Sequence, residues 1–316
     1  MDLKYATLYD HPELVDQTLE IIENSFAYTS NFSFKTDFYP LMSEKNWPNN
    51  LIAIERKNNQ VIGHLGFLKR SLHINGKNFP IGMIGGIAVS SSFRKSGIAG
   101  TLLSRCIELN TSDVGLFLLW SNLSDYYRKW DFTENGKVFV TQAGNNPTSP
   151  DQLGFLKISP DERSAYTPQL SLLYNTHINN HFISLVRDEE SWDDLLCITS
   201  SDLFVHRSLS GQVDGYFFKG KGFDLQDIIH EYVLPKSIPL ESFCNLGEIW
   251  HASIEGLALL PHKTLFMAML RPGSQNLFKQ LSQQITPGNF PATTDAQIAA
   301  LFNSSTPWFI SGLDSI

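Results

Sequence analysis

The sequence predicts an α/β protein of two fused units, each a central mixed (α+β) sheet flanked by helices. The first ground is length: 316 residues hold two cores at roughly 150 residues per domain. The second is Asn145-Asn146-Pro147-Thr148-Ser149-Pro150, a run of turn formers that interrupts helix and strand patterns and sets the units at 1–146 and 147–316. The third is an element order that repeats across this break. Leu3-Lys4-Tyr5-Ala6-Thr7 reads as a strand and leads, after Pro12-Glu13, into an amphipathic helix carrying Leu14, Val15, Leu19, Ile21 and Ile22. Phe155-Leu156-Lys157-Ile158-Ser159 leads likewise, past Pro160-Asp161-Glu162, into a helix carrying Leu170, Leu172, Leu173 and Ile178. Each unit then offers a hairpin. One pairs Leu51–Ile54 with Val61–Leu68 around Asn58-Asn59, and the other pairs Leu203–Arg207 with Val213–Phe218 around Ser210-Gly211.

The rest of the first unit reads strand, tight loop, helix, strand, helix. Ile84 to Val89 is apolar and β-branched, with Gly85-Gly86 marking a bulge. The polar Ser90–Ser96 follows, then a helix from Gly97 to Asn110 with Ile98, Leu102, Leu103, Cys106 and Ile107 on one face. Asp113-Val114-Gly115 turns into the buried strand Leu116–Trp120, and Ser124–Trp130 is a short amphipathic helix.

Composition narrows the function. At 42% hydrophobic and 18% charged, the chain is an ordinary globular one. Its apolar runs, such as Leu116 to Trp120, are far short of the ~20 residues that span a membrane, and the start lacks a signal-peptide pattern. Cys106, Cys197 and Cys244 are isolated and odd in number, which argues against disulfides or a thiolate metal site and fits the cytoplasm. Residues 1–150 carry 14 Lys+Arg against 14 Asp+Glu; residues 151–316 carry 10 against 18, which is the whole net charge of −8. Neither unit has the basic excess of a nucleic-acid binder. The acidic second unit reads first as solubility and second as an attraction for cations.

Chemistry concentrates at Arg94-Lys95-Ser96-Gly97-Ile98-Ala99-Gly100, between a strand and a helix. Glycine there lets the backbone bend and approach a ligand, and a helix start offers unpaired N–H groups to phosphate. Arg94 and Lys95 add charge and Thr101 a hydroxyl. Neither GxGxxG nor GxxxxGK[ST] is present.

This RxxGxA loop resembles the coenzyme-A loop of the GNAT (general N-acetyltransferase) superfamily. A second segment agrees: Asn122 follows the next strand, and Asp125-Tyr126-Tyr127-Arg128-Lys129-Trp130-Asp131-Phe132 resembles the family's FYxKxGF run, with Asp131 where Gly is usual. The two motifs cover Ile84 to Phe132, and the preceding strand order extends the likeness over residues 1 to ~145. The resemblance implies acetyl-CoA as cosubstrate, no metal, and an amine of a small molecule or peptide as acceptor. It implies that the backbone of Ile87, Ala88 and Val89 pairs with the pantetheine arm. Arg94, Lys95, Ser96, Gly97, Ile98, Ala99 and Gly100 would bind pyrophosphate with help from Thr101, and Asn122 would lie near the thioester. Tyr127 matches the general acid that protonates the leaving thiolate; the competing reading is a packing aromatic.

Two tandem units with the motif only in the first resemble the enhanced-intracellular-survival acetyltransferases, with a degenerate second unit and without their third domain. In that group the terminal carboxylate serves as base, which here points to Ile316 at the end of the apolar tail Pro307–Ile316. His64 and Glu55 are the local alternatives for the base. His177 and His181, spaced i, i+4 without a third ligand, read as packing or surface residues. The aromatic-rich segment Phe26–Trp47 is expected to build the acceptor pocket or, equally, to pack an irregular helix pair. Another acyl-CoA, another acceptor or a non-catalytic CoA-binding scaffold stays open, as does an oligomer.

Overall fold

The computed structural model describes residues 2–29, 31–142, 144, 146–253, 255, 257, 260–285, 294–302 and 306–316. Asn145, the first residue of the expected linker, lies outside them.

The first sheet runs in the order Leu3–Thr7, Asn50–Glu55, Gln60–Ile74, Lys77–Val89, Leu116–Leu119, Ala268–Pro272, Thr133–Asn135. The central hairpin is longer than the apolar pattern alone predicts. Asn75 and Gly76 both take positive φ (48° and 77°) between paired Ile74 and Lys77, the Asn-Gly turn whose twist suits a two-residue hairpin. One face is covered by the helix Ile98–Asn110, which buries all five apolar residues expected of it. Burying each of its Ile and Leu side chains contributes about 1.5–3 kcal/mol. The helix sits so close to Gly63 that a Cβ there would be 2.7 Å from Ile98 Cγ2. Another cluster joins Leu14 and Ile22, from the turn and helix Pro12–Ser25, with Phe34, Phe38, Leu41 and Met42.

Lys77–Val89 pairs in parallel with Leu116–Leu119 only from Ile81↔Leu116 to Ile84↔Leu119. Beyond Ile84 the two strands part. The cause lies on the other edge: between His64↔Ala88 and Gly66↔Gly85 the Lys77–Val89 strand carries one extra residue, a bulge that bends it away. Gly86 takes φ +60° there.

The second sheet runs His262–Leu265, Val138–Thr141, Glu248–His251, Ile228–Val233, Val213–Lys219, Asp202–Arg207, Phe155–Ile158. It repeats the first strand for strand, including a central parallel pair that meets only at Ile228↔Glu248 and Ile229↔Ile249. The sixth strand in each is exchanged: Ala268–Pro272 lies in the first sheet between Leu116–Leu119 and Thr133–Asn135, and Val138–Thr141 lies in the second between Glu248–His251 and His262–Leu265. The turn-rich stretch at 146–150 does follow a crossing between sheets, but a cut there leaves each sheet dependent on a strand from the other side. The second splay is also degenerate. Its cavity of about 200 Å³ is lined by Tyr232, Val233, Leu234 and Trp250, and Pro235 and Pro239 stand where a loop of N–H donors would be needed.

A buried ionic cluster joins the units to the C-terminal tail. The Arg187 guanidinium donates to Glu231 Oε1 (2.8 Å) and to Asp314 Oδ2 (2.6 Å), while Arg70 from the first sheet donates to Asp314 Oδ1 (3.0 Å). Burial alone would push the Asp314 carboxyl up; Arg187 and Arg70 overrule it and hold it below its usual range.

A fragment of residues 1–146 leaves the apolar strand Leu116–Leu119 with an open edge. It is expected to aggregate or remain unfolded in circular dichroism and size-exclusion runs where the full chain is compact; a monomeric, cooperatively melting fragment would contradict the exchange.

Candidate active site

The expected phosphate loop closes the first splay. Ser90 N–H donates to Ile62 O, ending the strand, and the chain passes through the turn Ser91–Phe93 to Lys95 and Gly97, both at positive φ (63° and 85°). Gly97 is the N-cap of Ile98–Asn110 with no side-chain cap, so the N–H groups of Ile98, Ala99 and Gly100 have no acceptor within the helix. Nothing lies within 4 Å of a Cβ built on Gly97, and Arg94, Lys95 and Ser96 are exposed around it. The cradle therefore fits a diphosphate in charge, donors and room. Two members of the loop have other duties. Gly100 makes room for packing, since a Cβ there would be 2.8 Å from Trp130 Cζ2. The Thr101 hydroxyl donates to Gly97 O (3.2 Å).

Of the strand residues, Ile87 and Val89 turn their backbone to the open splay. Ser90 and, two residues back, Ala88 bond toward the Gln60–Ile74 strand, and alternation sends Ile87 and Val89 to the other edge. Ala88 thus gives its backbone to the sheet and its side chain to the core. His64 fixes this edge. Its buried ring donates from Nδ1 to Gly86 O (2.7 Å), with Nε2 2.9 Å from Asn50 Oδ1. In a trans peptide the oxygen and hydrogen point oppositely, so holding Gly86 O inward aims the Ile87 N–H into the splay. Burial pushes the His64 pKa down to about 4, only partly offset by the Gly86 bond. A ring enclosed between these two partners suits positioning and not proton abstraction from a substrate. Glu55, at a strand end, accepts from Asn58 Nδ2 (2.8 Å).

The splay opens into a cavity of about 480 Å³ whose lining includes Gly85, Gly86, Ile87, Asn122, Tyr127 and Ile316. Tyr127 ends the short helix Ser124–Tyr127 and is buried against Phe132. Burial, then neighbouring Tyr126, pushes its phenol up to about 12, with the Ser121 hydroxyl pulling the other way. Asp131 sits at φ +61° as the C-cap of the next turn. That is the left-handed region where glycine is easiest and Asp is among the tolerated residues, so Asp131 holds a conformation that glycine would also adopt. Ile316 arrives from the far end of the chain: a Cβ on Gly85 would be 2.6 Å from its carboxyl carbon. Lys221 holds the tail in place. Its buried ammonium donates to Gly312 O (2.8 Å) and to Ser315 O, and burial pushes its pKa down to about 7 against the pull of Asp224, Asp314 and Asp37.

Sequence reading missed the second unit's contribution, Phe223 and Asp224, which also line the cavity. His177 and His181 lie in and after the turn Asn175–Asn179 of the second unit. Among the described residues no group of three or more His, Cys, Asp or Glu is placed to hold a metal, and no helix is long and apolar enough to cross a membrane.

Comparison with known proteins agrees with this geometry. Residues 11–134 match the family model of the acetyltransferase (GNAT) domain, so the first unit is similar to that domain. The whole two-sheet architecture is similar to three solved structures. A probable N-acyltransferase from Enterococcus faecalis is 12% identical, with TM-score 0.61 over 88% of this chain and 74% of that one. A GCN5-related N-acetyltransferase from Kribbella flavida is 14% identical, with TM-score 0.60 over 88% and 73%. Eis1 from Mycobacterium abscessus is 12% identical, with TM-score 0.52 over 86% and 73%. At such identities the likeness is one of fold. A sequence search of curated proteins gives no match.

The packing of Ile316 on Gly85 makes a prediction independent of activity. Gly85→Ala has to displace the last residue, so carboxypeptidase should trim the variant several-fold faster than the unaltered chain at equal melting temperature. Equal trimming would show that the tail does not depend on this contact.

Proposed function

We propose that the protein is a cytoplasmic, acetyl-CoA-dependent N-acetyltransferase that moves the acetyl group directly to an amine, in a ternary complex and without an acyl-enzyme. The observation that carries this is the cavity in the first splay, where the backbone of Ile87, the Tyr127 phenol and Ile316 meet, with the donor-rich start of the helix Ile98–Asn110 at the end of the same strand.

In this reading the N–H groups of Ile98, Ala99 and Gly100 take the pyrophosphate, with Arg94, Lys95 and Ser96 around it and Thr101 beside it. Ile87 and Val89 extend the sheet with the pantetheine amides, and Asn122 stands at the thioester end. The Ile87 N–H, aimed by His64, polarises the thioester carbonyl as negative charge develops on its oxygen. The Ile316 carboxylate takes the proton that the amine loses as its nitrogen forms the C–N bond. Tyr127 gives its proton to the sulfur as the C–S bond breaks. A phenol with a pKa near 12 does not ionise ahead of that departure, so proton donation accompanies cleavage. Net, one proton passes from amine to thiol. The three cysteines lie outside the cavity lining, consistent with direct transfer.

Tyr127→Phe is expected to lower kcat by ~10²–10⁴, the usual worth of a positioned acid, while the Kd for acetyl-CoA holds. Extending the chain by two glycines after Ile316 should cost a similar factor by removing the carboxylate. Because burial raises the phenol's pKa, its proton is retained as pH rises, and Tyr127 imposes no loss of rate until pH approaches 12. Unchanged turnover in both variants would reject these roles; tight binding of acetyl-CoA without turnover on any amine would favour a scaffold.

A further inference from the structure

The acceptor side of the cavity has a chemistry of its own. Phe26, Tyr28, Phe34 and Phe38 come from the irregular segment after the first helix, and Phe223 comes across from the second unit. The rings form one continuous wall: Phe34 lies 4.6 Å from Phe38, 6.2 Å from Phe26 and 6.1 Å from Tyr28, and Tyr28 lies 5.2 Å from Phe223. Phe26 leaves 44% of its surface accessible, an apolar face without a cover.

The wall is braced from behind by a buried carboxylate. Asp37 Oδ2 accepts from the Tyr28 hydroxyl (3.0 Å) and from Phe223 N–H (3.1 Å). Gly222 passes so near that a Cβ would be 1.8 Å from Asp37 Oδ2. The next residue along, Asp224, presents an accessible carboxylate to the cavity. It makes no hydrogen bond or ion pair with any described residue, and no Lys, Arg or His lines the cavity. The nearest cation is the buried Lys221 ammonium, which lies behind the wall, 4.4 Å from the Phe38 ring centroid, and donates to the tail; on the cavity side a carboxylate beside aromatic faces attracts a cation by charge and through the ring quadrupoles. A volume of about 480 Å³ suits a small molecule.

Resting on the acetyltransferase reading, we infer that the acceptor is a small primary amine carried on an aromatic or bulky apolar body, with Asp224 and the Phe26–Phe38 and Phe223 wall as its specificity determinants. Asp224 pairs with the incoming ammonium, which releases one proton to solvent before the neutral nitrogen attacks. A polyamine would leave further charges without partners, and a polyhydroxylated aminoglycoside would bring hydroxyls against rings that cannot bond them. The acidic second unit thus contributes a selective residue and not only a general field.

Calorimetric binding of 2-phenylethylamine and tryptamine to the full chain, in the presence of CoA, reads this without turnover. Both are expected to bind, and Asp224→Asn and Phe223→Ala to weaken each by about tenfold or more with the Kd for CoA unchanged; one lost charge contact is worth that much. In steady state, kcat/KM for these amines should exceed that for spermidine and for kanamycin by at least tenfold, with Asp224→Asn acting mainly on KM. No binding of either aromatic amine, equal binding by the variants, or a preference for spermidine or kanamycin would overturn the inference. Amine binding with no acetyl transfer would leave the inference standing and remove the acetyltransferase reading; transfer to amines of other kinds would do the reverse.

Discussion

The carboxylate of Asp314 is the point on which the two units and the tail depend. Arg70 reaches it from the first sheet, and Arg187, itself bridged to Glu231, reaches it from the second. All four side chains are almost wholly removed from water. Removing one partner of such a set leaves an uncompensated buried charge, which costs roughly 3–5 kcal/mol. The geometry adds a direction to that energy: Asp314 lies two residues before Ile316, so the clasp decides where the chain's last atoms lie. Lys221 completes it by capping carbonyls of the same turn.

Strand exchange explains why a unit without a phosphate loop stays attached to one that has it. Each sheet takes its sixth strand from the other unit, so neither is a complete core alone. The second unit has kept the parallel pair and its divergence, but only a small cavity lined by Tyr232 and Trp250 lies there and prolines follow the strand. Its remaining work lies at the contact between units, where Lys221 holds the tail and Phe223 and Asp224 line the first cavity. Most of that cavity's aromatic wall comes from the segment after the first helix, and one ring, Phe223, comes from the second copy of the fold.

Much of this was legible in the residues, and the exceptions have physical causes. The helix Ile98–Asn110 and both hairpins announce themselves through local periodicity. Asn75-Gly76 is an equally local turn signal, and reading it extends the central strands to 60–74 and 77–89. By contrast, nothing in Ala-Met-Leu-Arg-Pro at 268–272 says which sheet it joins, because strand partners are chosen by non-local packing. Gly100 looks like a ligand-approach glycine but is explained by Trp130, a contact that exists only once the short helix folds back. Asp131 looks like a departure from the motif until its φ shows that the backbone demand is met. Asp224 sits in Gly-Lys-Gly-Phe-Asp, a stretch with no catalytic spacing; its importance appears only because Asp37 draws that loop against the first unit.

One cleft with a donor loop and one without leads to a count. Titration of the full chain with acetyl-CoA in a calorimeter should give one site per chain, abolished by Gly97→Glu in a variant of unchanged melting temperature, since the new carboxylate would stand where the diphosphate is held. Two sites, or a single site that survives Gly97→Glu, would place the cofactor elsewhere and contradict the assignment of the first splay as the catalytic one.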